Sequence, residues 1–250
     1  MIAEVVSIGT ELLIGEIVDT NAAAVAQRLA AAGLDAHHQV TVGDNLDRIT
    51  AVLEAAGARA DVVVVTGGIG PTGDDVTKDA LCAVAGVPLR RDEEHATHVH
   101  AVVHARRGVV LDSVLRMADL PEGAEPVPND VGLALGVAMR HAGTWFFVLP
   151  GVPAEMLAML DTYVAPRLVA LTGGEVLHSE VVRTVGLGES QVAHLLDPLF
   201  ASTNPSIAFR IAGDLVHVRV SAKAGDLGEA KALVAGMRRE VEALLADVLA

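Results

Sequence analysis

The sequence predicts an α/β protein: a parallel sheet wound with helices, followed by a smaller α+β unit. Three observations predict it. Strand-like and helix-like patterns alternate through the first two thirds of the chain. Val62 to Val65 is a short, wholly apolar, β-branched run, the pattern of a strand buried on both faces. After Thr172-Gly173-Gly174 the order of patterns changes, and that glycine pair marks the boundary.

Ile2–Ile8 reads as the first strand, and Asn21–Ala32 as a helix ending at Gly33. Leu34–Val42 alternates, with Leu34, Ala36, Val40 and Val42 on one side and Asp35, His37, Gln39 and Thr41 on the other, so a strand with one wetter face is expected. Leu46–Ala56 carries Ile49, Leu53 and Ala56 on one helical stripe. The strand at 62–65 follows, then a helix from about Asp75 to Ala85 and another over 92–106. Such alternation implies parallel strands joined by right-handed crossovers. Pro121, Pro126 and Pro128 suggest an irregular connector. Leu133–Met139 and Thr144–Leu149 are further strands, with Trp145, Phe146 and Phe147 assigned to the core. Pro153–Leu171 is a helix with proline in its first turn. The tail reads strand (Val176–Val185), helix (Glu189–Leu196), strand (Ser206–Ile211), tight turn at Gly213-Asp214, strand (Leu215–Ser221) and long helix (Gly228–Leu249). The two domains are thus expected at 1–172 and 175–250.

The chain has 250 residues, 52% of them hydrophobic, which supplies a substantial core. No uninterrupted apolar stretch approaches the ~18 residues that span a bilayer, and the N-terminus runs straight into a strand without a signal-peptide pattern. Cys82 is the single cysteine, which excludes an internal disulfide and a cysteine zinc cluster. These features point to the cytoplasm. A formal net charge of −14 and an aromatic content of 2% disfavour nucleic acid as a partner.

Four loops carry candidate chemistry: Gly9-Thr10-Glu11 after the first strand, Gly43-Asp44-Asn45 after the second, Thr66 through Asp79 after the third, and Pro150-Gly151 through Glu155 after the last strand of the large unit. In a parallel sheet these loops meet on one rim, where α/β proteins bind ligands. Thr66-Gly67-Gly68-Ile69-Gly70-Pro71-Thr72-Gly73 is a glycine-rich bend between strand and helix, the usual cradle for a phosphate. It is not a Walker A loop, because Asp74-Asp75 stands where Lys-Ser/Thr is required. Two carboxylates facing a phosphate repel it, so a divalent cation is expected to mediate, with Asp44, Asp74 and Asp75 as ligands. The blander roles are helix capping for Asp74 and a dipole interaction for Asp75. Lys78 either reaches a phosphate, pairs with a carboxylate or sits in solvent. Glu155 reads as a helix-start residue. His95/His98 and His100/His104 fall on different sides of their helix and do not converge on one ion.

The phrases GTELLIGEIVDTNA (9–22), VGDN (42–45), TGGIGPTGDDVTKDA (66–80), LPEG (120–123) and LPGVPAEM (149–156) resemble the N-terminal region of the CinA family. More distantly they resemble the molybdopterin-binding domain of MoaB/MogA and MoeA/gephyrin proteins. The segment 176–250 resembles the small KH-type domain of CinA proteins, although Gly186-Leu187-Gly188 lacks the Gly-x-x-Gly spacing of an RNA-binding KH loop. The resemblance implies a three-layer α/β/α sandwich, a phosphorylated ligand of nucleotide or pterin size, and metal-dependent ADP-ribose pyrophosphatase activity. Catalytic roles fall to Glu11, Asp74 and Asp75. Ligand contacts fall to Gly9, Thr10, Asp44, Thr66, Gly67, Gly68, Gly70, Thr72, Gly73, Lys78, Pro150 and Gly151, with phosphates held by backbone N–H groups over Gly67–Gly73. Mg²⁺, Mn²⁺ or Co²⁺ is the expected cofactor and a homo-oligomer the expected assembly, with neither nucleic acid nor membrane as partner. Full-length CinA proteins carry a further C-terminal amidase domain acting on nicotinamide mononucleotide; the sequence stops before it, so no amidase activity is expected. Two alternatives stand beside this reading: a pterin-phosphate binding module without hydrolysis, and a non-catalytic oligomeric scaffold. One departure bears on substrate: in Asn129-Asp130-Val131-Gly132-Leu133-Ala134-Leu135-Gly136, Leu133 and Leu135 replace the threonine and proline of the family's NPVGTAPG.

Overall fold

The computed structural model describes residues 1–250, which divide into two compact units. One holds residues 1–29 and 34–168, and the other holds 30–33 and 169–250.

In the first unit β1 (Ile2–Ile8) leads through a single turn, α1 (Thr10–Leu13), into α2 (Thr20–Ala31). Next come β2 (Asp35–Val42), α3 (Leu46–Gly57), β3 (Val62–Thr66), α4 (Thr77–Ala85), β4 (Leu89–Arg91), α5 (Glu93–Arg107) and α6 (Asp112–Leu115). The proline-marked segment is more ordered than its sequence suggests. It supplies β5 (Asp119–Pro121), paired antiparallel with β4, and β6 (Glu125–Val127). β7 (Gly136–His141) and β8 (Thr144–Leu149) complete the sheet. The last helical stretch runs as α7 (Pro153–Met159), a π-helical turn over Leu160–Val164, and α8 (Ala165–Leu171).

The six-stranded sheet has the order β2-β1-β3-β8-β7-β6. β2, β1, β3 and β8 are mutually parallel; β7 pairs antiparallel with β8, and β6 antiparallel with β7. The expected parallel sheet is therefore mixed. Ala142, at φ 47°, and Gly143 close a tight β7–β8 hairpin that no crossover helix separates.

Alternation on the central strands explains the layers. Val6, Ile8, Val63, Val65, Phe146 and Val148 face one core, which α3, α4 and α5 cover with Ile49, Leu53, Leu81 and Val99. The intervening Ala3, Val5, Val62, Val64, Phe147 and Leu149 are equally buried on the opposite face. Amphipathic α2 buries Val25 and Leu29, and α7 with its extension buries Met156, Met159 and Leu160. Period-2 burial on both faces of one sheet requires helices on both sides, hence three layers. β2 departs from expectation: Asp35–Gln39 are exposed whichever face they occupy, because β2 is the sheet edge and only Val42 at its end is buried. Trp145 is only partly buried, its ring lying 5.5 Å from the Arg167 guanidinium carbon.

The second unit contains β9 (Val176–Val185), α9 (Glu189–Leu195), β10 (Ser206–Ala212), β11 (Leu215–Ala224) and α10 (Leu227–Leu244). Its antiparallel sheet has the order β10-β11-β9, with Gly213-Asp214 as the hairpin turn. α10 starts at Asp226, whose carboxylate accepts from Glu229 N–H at 2.9 Å, and it packs Val234, Met237 and Val241 against Val182, Val216, Val218 and Val220. No helix of either unit is long and apolar enough to cross a membrane.

Candidate functional site

The four chemistry-bearing loops leave the carboxyl ends of β1, β2, β3 and β8, the four parallel strands, and so share one rim of the sheet. A cleft of about 720 Å³ opens there, within the ~300–1,000 Å³ usual for small-molecule sites.

Its floor is a backbone crossing that only glycine permits. Gly67 has φ 101°, and a Cβ there would collide with the Ile8 carbonyl; Gly68 has φ 65°, and a Cβ would strike the Thr77 hydroxyl. That hydroxyl donates to Gly67 O at 2.9 Å and pins the bend to the start of α4. The helix begins at Thr77, two residues later than Asp75, and neither aspartate caps it. Both acids instead belong to the bend and line the cleft. Asp75 Oδ2 accepts from Thr72 N–H at 2.8 Å and lies 2.5 Å from Thr72 Oγ1, while Asp74 Oδ1 lies 2.5 Å from the same oxygen. The Thr72 hydroxyl holds the Asp74 carboxyl below its ordinary pKa, helped by the Asp74 backbone N–H. Gly70 leaves room for the Asp75 carboxylate, since a Cβ there would sit 2.7 Å from Asp75 Oδ2.

Not all the amides expected to meet phosphate are available. Gly67 N–H donates to Leu149 O at 2.9 Å, and Thr72 N–H is taken by Asp75. The amides of Gly68, Ile69 and Gly70 make no backbone bond and line the cleft.

Asp44 lines the cleft as well. Its Oδ2 accepts from both the N–H and the hydroxyl of Thr10, at 2.7 and 2.8 Å, and so fastens the end of β2 to the first turn after β1. Asp44, Asp74 and Asp75, the three acids expected as metal ligands, do not form one cluster: no group of three or more His, Cys, Asp or Glu side chains forms a ready cation cage. What does converge is Asp74, Asp75 and Thr72, an all-oxygen set suited to a hard cation that keeps waters and takes its remaining ligands from phosphate. Glu11, Gly9, Pro150 and Gly151 also line the cleft, and the Glu11 carboxylate folds over Gly9, 2.6 Å from where a Cβ would stand.

Four of the sequence-assigned ligand residues do not line this cleft: Thr10, Thr66, Gly73 and Lys78. Thr10 is occupied by Asp44. Thr66, still in β3 and 2% exposed, faces a smaller pocket alongside. Lys78 points behind the bend, where it is 5% exposed and donates to Met117 O at 3.0 Å; burial lowers its pKa to about 8. His95 pairs with His98 and His100 with His104, at ring separations of 5.7 and 5.9 Å.

Other lining residues are tertiary arrivals. Arg106, near the C-terminus of α5, is the one positive side chain on the wall. Buried Asn129 accepts from Val131 and Gly132 N–H and donates to Ala134 O and to Glu155 Oε2, the last at 2.6 Å. It thereby shapes loop 130–134 and hooks Glu155, placed on the wall rather than merely at a helix start. The signal in the sequence was the Asn-x-x-Gly spacing of an Asx-type turn. Of the two leucines that depart from the family pattern, Leu133 lines the cleft and Leu135 is core.

A family model described as "Probable molybdopterin binding domain" matches residues 4–170, and one described as "Damage-inducible protein CinA KH domain" matches 179–249. The crystal structure of the protein CinA "with unknown function" from Thermoplasma acidophilum is 33% identical, with a TM-score of 0.62; the match covers 66% of this chain and 96% of that one. The chain belongs to the CinA family. Among curated CinA relatives, the "Putative competence-damage inducible protein" of Symbiobacterium thermophilum is 41% identical over 96% of this chain, and the "CinA-like protein" of Dictyoglomus turgidum is 36% identical over 100% of it. The chain spans 58% and 61% of the length of these two relatives. In CinA family terms, the cleft lies wholly within the molybdopterin-binding-like domain.

Proposed function

We propose that this protein is a metal-dependent nucleotide pyrophosphatase that hydrolyses ADP-ribose or a related dinucleotide. The observation that carries the reading is the convergence of Asp74 Oδ1 and Asp75 Oδ2 on Thr72 Oγ1, each at 2.5 Å. One hydroxyl has one proton to give, and with the Thr72 N–H bound to Asp75 the two carboxylates share the neutral donors of a single residue, with no ion pair to either. The surplus negative charge, set beside free amides at Gly68–Gly70, suits a divalent cation (Mg²⁺, Mn²⁺ or Co²⁺) shared with a phosphorylated ligand. A cation held by Asp74, Asp75 and Thr72 would supply charge neutralisation for the phosphates and a lowered pKa for bound water.

The chain's own groups do the rest. The amides of Gly68, Ile69 and Gly70 point hydrogen-bond donors at phosphate oxygens, and Arg106 adds a positive charge at the mouth. Glu11, folded over Gly9, accepts the proton of the attacking water on its carboxylate. The Pro150-Gly151 turn lets the ligand approach backbone closely.

A pterin-phosphate binding module without hydrolysis is the second reading, favoured by the domain match and by Leu133, an apolar wall residue where the family pattern has a hydroxyl. The deciding experiment combines ADP-ribose turnover with Mn²⁺ binding measured by water-proton relaxation. In Asp74→Asn/Asp75→Asn we expect turnover to fall at least roughly 100-fold and Mn²⁺ binding to disappear. Turnover that survives in the double variant removes the carboxylates from the reaction; a pterin phosphate bound tightly by a wild type that leaves ADP-ribose intact decides for the second reading.

A further inference from the structure

Beside the cleft lies a second pocket of about 80 Å³. It shares Ile8, Glu11 and Gly151 with the cleft, and the two are continuous walls of one domain. Its remaining lining includes Thr66, Asn21, Ile17 and Val18.

One buried polar atom in it lacks a partner. Asn21 is 9% exposed and donates from Nδ2 to Gly151 O at 2.8 Å, which fixes the orientation of the amide. Its Oδ1 is then buried with nothing to accept from. Thr66 is 2% exposed and lines the same pocket. Buried polar groups are normally satisfied, and an orphan acceptor calls for an explanation. Ile17 and Val18, 55% and 84% exposed, stand at the rim as apolar surface. The pocket thus has a polar floor and an apolar lip, next to a site suited to phosphate.

The geometry points to a specificity pocket in which Asn21 Oδ1 and the Thr66 hydroxyl receive an uncharged, hydrogen-bond-donating group of the ligand, a sugar hydroxyl or a heterocycle N–H, while its phosphates occupy the neighbouring cleft. This rests on the phosphate-site reading above. The pocket selects among phosphorylated ligands by what their neutral end can donate, because a ligand without the donor leaves Asn21 Oδ1 unpaired. Its volume admits one such group or an ordered water, and water is the competitor the ligand displaces.

The test compares two probes by calorimetry in the presence of Mg²⁺: ADP-ribose made uncleavable by a methylene bridge between its phosphorus atoms (hereafter ADP-ribose), which has a neutral end, and inorganic pyrophosphate, which has none. Asn21→Ala is expected to weaken ADP-ribose roughly tenfold and to change pyrophosphate by less than about twofold. Thr66→Val, which leaves the Asn21–Gly151 bond intact, is expected to weaken ADP-ribose alone by a few-fold. In ¹⁵N spectra of the wild type, the Asn21 side-chain amide should shift with ADP-ribose and stay in place with pyrophosphate. Equal weakening of both probes by Asn21→Ala would show that Asn21 only braces Gly151, and unchanged binding of both in the two variants would leave the pocket to water; either overturns the assignment. A wild type that binds neither probe instead brings down the phosphate-site reading itself.

Discussion

Two loops on the same rim pair aspartate with threonine, and they do opposite things. At the end of β2, Asp44 offers one carboxylate oxygen to two donors of Thr10, so every group is matched and the loop is tied down. At the bend after β3, the same two kinds of donor, the N–H and the hydroxyl of Thr72, face two carboxylates: the N–H goes to Asp75 Oδ2, and the single hydroxyl proton lies between Asp74 and Asp75. The first arrangement is a clasp that needs nothing further; the second carries surplus charge that a ligand can complete. The same residue types give structure or chemistry according to the ratio of donors to acceptors, which local sequence does not state. The glycines sharpen the contrast, because the bend is reached only through a backbone conformation that side chains disfavour.

The largest effect is expected at Gly67. Alanine there must adopt φ near 101° and drive its Cβ into the Ile8 carbonyl, so strand β1 or the bend must move. We expect Gly67→Ala to lower stability by about 3 kcal/mol or more in urea unfolding and to abolish Mn²⁺ binding. A variant of wild-type stability would mean that the crossing of β1 and the bend is looser than drawn.

Lys78 tests the ground behind the bend. Its ammonium is buried, and burial outweighs the attraction of Asp119, lowering its pKa from 10.5 to about 8. The unfolded chain therefore binds more protons than the folded one between about pH 8 and 10.5. Stability from this group rises with pH across that window, by up to about 3 kcal/mol. Lys78→Met should flatten that rise in denaturant titrations at successive pH values. An unchanged slope would show the lysine to be solvated.

The rim itself was legible in sequence because it depends on strand order only weakly: β1, β2, β3 and β8 each end in a glycine- or proline-containing turn, and parallel pairing brings those ends together. The antiparallel β7–β8 pair was not legible as such. Both are apolar runs of similar length, and only the two-residue turn at Ala142-Gly143 distinguishes a hairpin from a crossover. The helix start after the bend was read two residues early, since Asp75 looks like a first-turn acid until the Thr77 hydroxyl is seen to bond Gly67 O. Arg106 and Asn21 reach their pockets from α5 and α2, helices whose own patterns report only which stripe is apolar. The role of Asn21 is set by a contact across 130 positions of sequence, its bond to Gly151.

The clasp should cost little when opened. Asp44→Ala removes two hydrogen bonds from a partly exposed site, and we expect a loss of about 1–2 kcal/mol with Mn²⁺ binding retained. If Mn²⁺ binding vanishes while the fold remains, Asp44 belongs to the charged site after all, and the contrast between the two loops fails.

The smallest effect reads the contrast from the other side. Thr72→Val keeps the shape of the bend and withdraws the disputed proton. Thr72 is the main cause of the lowered Asp74 pKa, with the Asp74 amide second and burial opposing. In the variant Asp74 should therefore titrate higher, closer to its ordinary 3.8, as read from its carboxyl ¹³C shift. A carboxylate with a depressed folded pKa stabilises above its unfolded pKa and loses that contribution as pH falls through the folded value, so the variant should part with it at a less acidic pH. Mn²⁺ affinity provides the discriminating second measurement. If Thr72 only neutralises the acids, its removal leaves more charge for the cation and tightens binding; if its oxygen is a ligand, binding weakens. An Asp74 titration identical in variant and wild type would show that the hydroxyl proton resides with Asp75, and that the two acids are not rivals for it.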